Sequence, residues 1–208
     1  MSANILPTGV LLAGGRARRM GGGDKCLLPL RDKTLLSRSI ERAQPQVSDL
    51  LLSANGNALR FARTRLAVVP DEYRDFPGPM AGIHAALCWM QEHQPQSNWL
   101  ASFACDTPFF PRDMVSTLVD ALEADSQIAV CVSDGRMHPV FALWHTDLLP
   151  TISATLDQNE VPWLQHWIRD RPHVAVEFDT EPCDPFTNIN TPQDLYAAED
   201  LLAEHDNL

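Results

Sequence analysis

Between Gly14 and Lys25 the chain reads GGRARRMGGGDK, and two kinds of residue dominate the stretch. Gly14, Gly15, Gly21, Gly22 and Gly23 let backbone N–H groups come close to a ligand. Arg16, Arg18, Arg19 and Lys25 supply positive charge. A chain of phosphates packs many negative oxygens into a small volume, and this pairing of glycine and cation suits it. Neither common phosphate motif is present. A Walker loop ends in Gly-Lys-Ser or Gly-Lys-Thr, whereas Lys25 follows Asp24 and precedes Cys26; Gly-x-Gly-x-x-Gly is also missing. A surface loop with solvated charges is the plain alternative. The position directly after an apolar strand favours a ligand.

Apolar runs of strand type alternate along the chain with helical spacing. Strands are expected over residues 9–13, 49–54, 66–69, 99–104 and 174–178. Two more, 128–132 and 140–144, can pair around Ser133-Asp134-Gly135. Helices are expected over 34–43, 80–91, 111–124, 161–169 and 191–204, with a short one from about Thr146 that Pro150 limits. Thr191 as N-cap, Pro192 at the first helical position and Asp194 three residues after the cap form a capping box. The alternation implies a three-layer αβα fold, a mostly parallel, Rossmann-like sheet with helices on both faces. Right-handed crossovers put the C-terminal ends of parallel strands on one edge, where ligands bind. Gly14, Asn55, Asp71 and Asp106 each follow a strand, so four distant stretches should meet in one crevice.

With 208 residues the chain suffices for one domain, 1–208. A net charge of −11 argues against a broad nucleic-acid surface, but one cationic loop can still hold a small anion. The five cysteines are scattered, odd in number and lack a Cys-x-x-Cys pair, which points to a reducing cytoplasm rather than disulfides or zinc. The N-terminal apolar stretch is cut by Pro7 and Gly14-Gly15, and no run is long enough to cross a bilayer, so neither signal peptide nor membrane is expected.

The stretch GVLLAGGRARRMGGGDK resembles the signature of nucleotidyltransferases that activate a phosphorylated partner with a nucleoside triphosphate. Its Asp-Lys ending is most similar to the molybdenum cofactor guanylyltransferase family. The resemblance continues through VVPDEYRDFPGPMAGIHAAL, FACDTPFFP, DGRMHPVFAL and DPFTNINTPQDL, which together span nearly the whole chain. It implies joining GMP from GTP to the terminal phosphate of molybdenum-molybdopterin, with release of pyrophosphate. A nucleotide half over about 1–110 and an acceptor half over about 111–208 follow from it.

The resemblance also implies roles. Lys25 meets the triphosphate, and Arg19 supports the same phosphates or the departing pyrophosphate. Arg16 and Arg18 read as well as solvated cations. Leu12, Ala13, Gly14, Gly15 and Gly22 hold the nucleotide through backbone groups, and Leu12 can be core as well. Asp106 is the expected Mg²⁺ ligand, since magnesium takes few protein carboxylates alongside phosphate oxygens and water; a helix-capping Asp is the alternative. Cys105, on the opposite side of the strand, is core. Asp71 serves the base or ribose, or forms a turn after Pro70. Ser53 and Asn55 stand where the family often carries two asparagines, so Ser53 is a departure with shorter reach. Gly78 and Gly82 shape a loop beside the base. Asn188 and Asn190, before the last helix, face the pterin or metal side. His138 is either a site residue or a satisfied structural one, and His84 is structural or at the surface.

Related CTP-dependent or sugar-phosphate transferases, and a non-catalytic nucleotide or pterin carrier, are the other readings. The family implies transient contact with cofactor-insertion proteins and apo-molybdoenzymes. A monomer is expected.

Overall fold

The computed structural model describes residues 6–14, 24–73, 78–158 and 160–204. Strand β1 (Thr8–Leu12) is buried over nearly its whole length, as an apolar strand covered on both faces must be. After a 3₁₀ turn at Lys25–Leu27, β2 (Pro29–Leu30) and β3 (Lys33–Thr34) form a small antiparallel ribbon. Helix α1 (Leu35–Ala43) starts where the Thr34 hydroxyl accepts from the Ser37 N–H at 3.1 Å. Next come β4 (Leu50–Ser53), a 3₁₀ segment at Ala58–Thr64, β5 (Ala67–Val69), α2 (Pro79–His93) and β6 (Trp99–Ala104). Then follow α3 (Met114–Asp120), β7 (Ile128–Ser133), β8 (Arg136–His145), α4 (Leu149–Leu156), α5 (Leu164–Arg169), β9 (His173–Glu177) and α6 (Pro192–Glu204).

Seven strands form one sheet in the order β5-β4-β1-β6-β8-β7-β9. Only β8 runs against the others, as the expected hairpin with β7. Its turn residues Asp134 and Gly135 both have positive φ, the pattern of a type I′ turn. Side-chain alternation sends Leu11 and Phe103 to one face with Leu36, Phe110 and Phe141, and Val10 and Leu100 to the other with Met80, Ile83, Trp144 and Trp167. Helices α1 and α3 cover the first face; α2, α4 and α5 cover the second. Helix α6 packs on the ribbon through Leu30, Leu35, Ala198 and Leu202.

Four boundaries differ from the sequence reading by three residues or more. Helix α5 begins at Leu164 and not at Val161. Helix α3 covers 114–120 and not 111–124, because Pro111 precedes the helix and no side chain caps its start. Pro150 lies in the first turn of α4, where its missing N–H costs nothing, so it opens that helix rather than limiting it. Strand β8 spans ten residues, not five. It absorbs Pro139 in a bulge: Val130 pairs with Ala142 and Cys131 with His138, which leaves 139–141 without partners on β7. Ser102 supports the bulge by donating to the Val140 carbonyl at 2.6 Å, and accepts from the Trp144 indole at 2.8 Å.

Register decides where the site forms. Leu12 lies opposite Ser53 on one side and Ala104 on the other, and Ser53 lies opposite Val69. Four parallel strands therefore end level, and the residues just beyond them share one edge.

Candidate active site

A cleft of about 320 Å³ opens at that edge. Leu12, Gly14, Ser53, Asn55, Asp71, Gly78, Gly82 and Asp106 line it, together with Pro79, Ala104 and Val140. Eight expected site residues thus meet across four strand ends and the start of α2. Ala13 borders a smaller adjoining recess with Lys25 and Asp106. Gly15, Gly22, Arg16, Arg18 and Arg19 lie outside the described residues.

One wall is an amide–carboxylate pair. Asn55 Nδ2 donates to Asp71 Oδ2 at 2.8 Å, and the Asp71 N–H donates to Asn55 Oδ1 at 3.0 Å. Asp71 Oδ1 is buried and has no hydrogen-bond partner among the described residues. A buried carboxylate oxygen without a donor is costly, and a ligand N–H or O–H would relieve it. Helix α2 comes very close to β1 and β4 here. A Cβ on Gly82 would fall 2.6 Å from Ser53 Oγ and 2.7 Å from Leu12 Cδ2. Glycine at 82 and a short side chain at 53 pack as a unit, which gives the Ser53 departure a steric reason.

The other end carries charge. Lys25 Nζ sits 2.6 Å from Asp106 Oδ2 and 2.6 Å from Asn190 Oδ1. The Lys25 side chain is 9% exposed and that of Asp106 29%, so the ammonium is enclosed while the carboxylate stays partly open to the cleft. The Ile189 N–H donates to the Asp106 carbonyl at 2.8 Å, and the Thr107 hydroxyl bonds the Asn188 side chain. These bonds bring 106–107 and 188–190 together across the fold. The capping box forms as expected. Asp194 Oδ2 accepts from the Asn190 and Thr191 N–H groups at 2.7 and 2.8 Å, and Thr191 Oγ1 accepts from the Asp194 N–H. The Asn190 N–H bond is the main cause that holds the Asp194 carboxyl below its ordinary range.

Nearby nucleophile candidates are quiet. Burial, with Asp24 beside it, pushes the Cys26 thiol up to about 12; Cys105 is fully buried and pushed well above its ordinary value. His138 resolves to the structural alternative. It is buried, its Nε2 lies 2.7 Å from Ser133 Oγ, it stacks on Phe186, and burial lowers its basicity. Ser133 donates onward to Asp184 at 3.0 Å. His84 joins α2 to α4 through Ser153 at 2.9 Å.

The sequence reading missed Arg60. The 3₁₀ segment after β4 places its guanidinium beneath the 55–57 turn. It donates to the Asn55 carbonyl at 2.6 Å and the Asn57 carbonyl at 2.7 Å. Its Nε also lies 2.5 Å from Asp24 Oδ2, although the N–H points off that line, so this is a charge contact more than an aligned hydrogen bond. Arg60 ties the residue before Lys25 to the Asn55–Asp71 wall. NALRFART has no apolar period, and only the charge of Arg60 hinted at a role.

A glycine-flanked ammonium, a partly open carboxylate and an unpaired acceptor at parallel strand ends can hold a nucleoside polyphosphate. The comparisons agree. Molybdenum cofactor guanylyltransferase of Nitrobacter hamburgensis is 45% identical over 205 residues, which covers 98% of both chains. Molybdopterin-guanine dinucleotide biosynthesis protein A from Archaeoglobus fulgidus shares the fold with a TM-score of 0.76 at 22% identity, covering 95% of this chain and all of that one. Rv0371c of Mycobacterium tuberculosis, solved in complex with manganese, aligns with a TM-score of 0.66 at 19% identity, covering 94% of this chain and 98% of its own. Residues 9–174 match the model of the MobA-like NTP transferase domain, and the chain belongs to that family of nucleotidyltransferases.

Proposed function

We propose that this enzyme transfers GMP from GTP to the terminal phosphate of molybdenum-molybdopterin, forming the guanine dinucleotide cofactor. The observation that carries this reading is one cleft with Lys25 and Asp106 at one end and the Asn55–Asp71 wall at the other. An acceptor-phosphate oxygen attacks the α-phosphorus, the α–β bridging bond breaks, and pyrophosphate leaves. Lys25 offsets charge on the phosphates, and Arg19 and the glycines at 14, 15 and 22 join it. The chain does little covalent work; positioning and charge carry the rate.

Guanine suits the far wall. Its ring N–H and amino group are adjacent donors, and Asp71 Oδ1 is an acceptor lacking a donor among the described residues. Cytosine alternates its amino group with an acceptor nitrogen, so it leaves one contact mismatched. Leu12, Ala13, Ser53, Gly78 and Gly82 shape the base and ribose pocket.

The family is generally dependent on a divalent metal, and we assign Mg²⁺. Among the described residues no group of three His, Cys, Asp or Glu side chains could hold a metal ion. Oxygen donors gather instead at Asp106, and one carboxylate suffices for an ion that shares substrate phosphates and water. Asp106 would hold it, and its charge would offset that building on the phosphate oxygens. Asn188 and Asn190 face the acceptor, with the nucleotide half near 1–110 and the acceptor half near 111–208. A monomeric cytoplasmic enzyme that meets insertion proteins and apo-molybdoenzymes transiently fits this role.

Incubation with Mg²⁺, GTP and molybdenum-molybdopterin should release one pyrophosphate per guanine dinucleotide formed, with CTP and ATP at least about tenfold poorer. No release with GTP, or faster release with CTP, would overturn the assignment.

Arg60→Met should raise KM for GTP about tenfold and change kcat little, because it frees Asn55 and Asp24 without touching the reacting phosphates. Arg60→Lys should recover part of the loss. An unchanged KM in the Met variant would remove Arg60 from nucleotide positioning.

A further inference from the structure

Where the C-terminal half of α1 packs against the 108–112 segment, three arginines meet. Arg42 is 6% exposed. Its Nη1 donates to the Phe110 carbonyl at 2.9 Å, while Nη2 is buried with no partner among the described residues. Arg38 and Arg112 border the same small recess, together with Glu41, Phe109 and Leu202. The one carboxylate among them is committed elsewhere: Glu41 Oε2 pairs with Lys33 at 2.8 Å. Arg38 is committed too, to the Leu30 carbonyl and to Asp32 at 2.9 Å. Arg112 is exposed and has no side-chain hydrogen bond or ion pair among the described residues.

A buried guanidinium flanked by two like charges is unfavourable unless something negative joins it. Burial, reinforced by Arg112 and Arg38, pushes the Arg42 pKa down to about 10, which still leaves it charged at neutral pH. Water would satisfy the open N–H group but not the charge. The recess holds about 30 Å³, room for one small group and not for a nucleoside. In a chain of net charge −11, a buried Arg42 and an exposed Arg112 with no counter-ion among the described residues are out of keeping with the rest of the sequence.

We propose that this recess binds a phosphate-sized inorganic oxyanion beside the enclosed charge of Arg42 and against Arg112, with Arg38 adding field. The site is distinct from the nucleotide cleft, and the inference does not depend on the proposed reaction. A bound anion would also steady the 108–111 segment just beyond Asp106, because Arg42 holds the Phe110 carbonyl.

The test is the melting temperature of the full chain in sodium phosphate against sodium chloride of equal ionic strength, without nucleotide. The wild type should gain roughly 3–6 °C at ten times the dissociation constant. Lys25→Met should keep the gain, since it removes only the cation of the cleft. Arg112→Ala and Arg42→Met should lose it. If Arg42→Met does not fold, Arg112→Ala decides alone. Retention in Lys25→Met with loss in Arg112→Ala supports the site. Any other pattern, including a gain no larger than chloride gives, overturns it.

Discussion

Asp106→Ala should lower the rate of GMP transfer by about 10²–10³-fold and leave the chain folded. In phosphoryl transfer the protein supplies position and charge, so one lost electrostatic group removes a large share of the rate enhancement. Asp106 is the carboxylate that faces both the cleft and the ammonium of Lys25. Its backbone is held independently of its side chain, because the Asp106 carbonyl accepts the Ile189 N–H at 2.8 Å. The 106–107 segment therefore stays in place when the carboxylate goes. The cost to stability comes from Lys25, left enclosed with Asn190 as its one remaining partner among the described residues. Stranding a buried cation of this kind costs about 1–3 kcal/mol, or about 2–12 °C in a chain of this size. Pyrophosphate release, circular dichroism and the magnesium dependence of the rate check all three points. Asp106→Asn keeps the shape and one oxygen without the charge, and should fall between. Normal transfer by the Ala variant would end the metal assignment.

The edge that carries this site was legible because two regular patterns agree there. Short apolar runs marked the strands, and a polar or glycine residue followed each of β1, β4, β5 and β6. Parallel topology then required those residues to meet, and Gly14, Asn55, Asp71 and Asp106 do line one cleft. The capping box at Thr191–Asp194 was legible for a similar reason, since its bonds are local. Nonlocal pairings were not legible. Nothing in LRF tells that Arg60 reaches the Asn55 carbonyl, or in MGGGDK that Asp24 answers it. The contact of Lys25 with Asn190 joins residues 165 apart, and spacing carries no trace of it. The strand expected over 140–144 extends back to Arg136 because a bulge accommodates Pro139, a place where no donor is needed and which spacing does not show. Gly82 falls in a helix that was expected over 80–91, but that its missing side chain admits α2 to Leu12 and Ser53 is a nonlocal contact the sequence does not show.

Lys25→Met should lower kcat/KM by about 10²-fold or more and disturb stability less than Asp106→Ala does. Methionine keeps an apolar stem of similar length and removes only the charge. What remains is a carboxylate 29% exposed, which water can reach. The reverse change strands an ammonium 9% exposed, which water can barely reach. The two variants should thus rank alike in activity and differently in melting temperature. Lys25→Arg should not restore activity. A compact ammonium meets Asp106 and Asn190 at 2.6 Å each from one point, and a planar guanidinium is too large and too directional to do so. With both residues acting on the same phosphates, as proposed, the double variant should lose little more activity than the worse single one. Losses that multiplied would mean that Lys25 and Asp106 serve separate steps, and a larger drop in melting temperature for Lys25→Met than for Asp106→Ala would mean that the carboxylate, not the ammonium, is the enclosed partner.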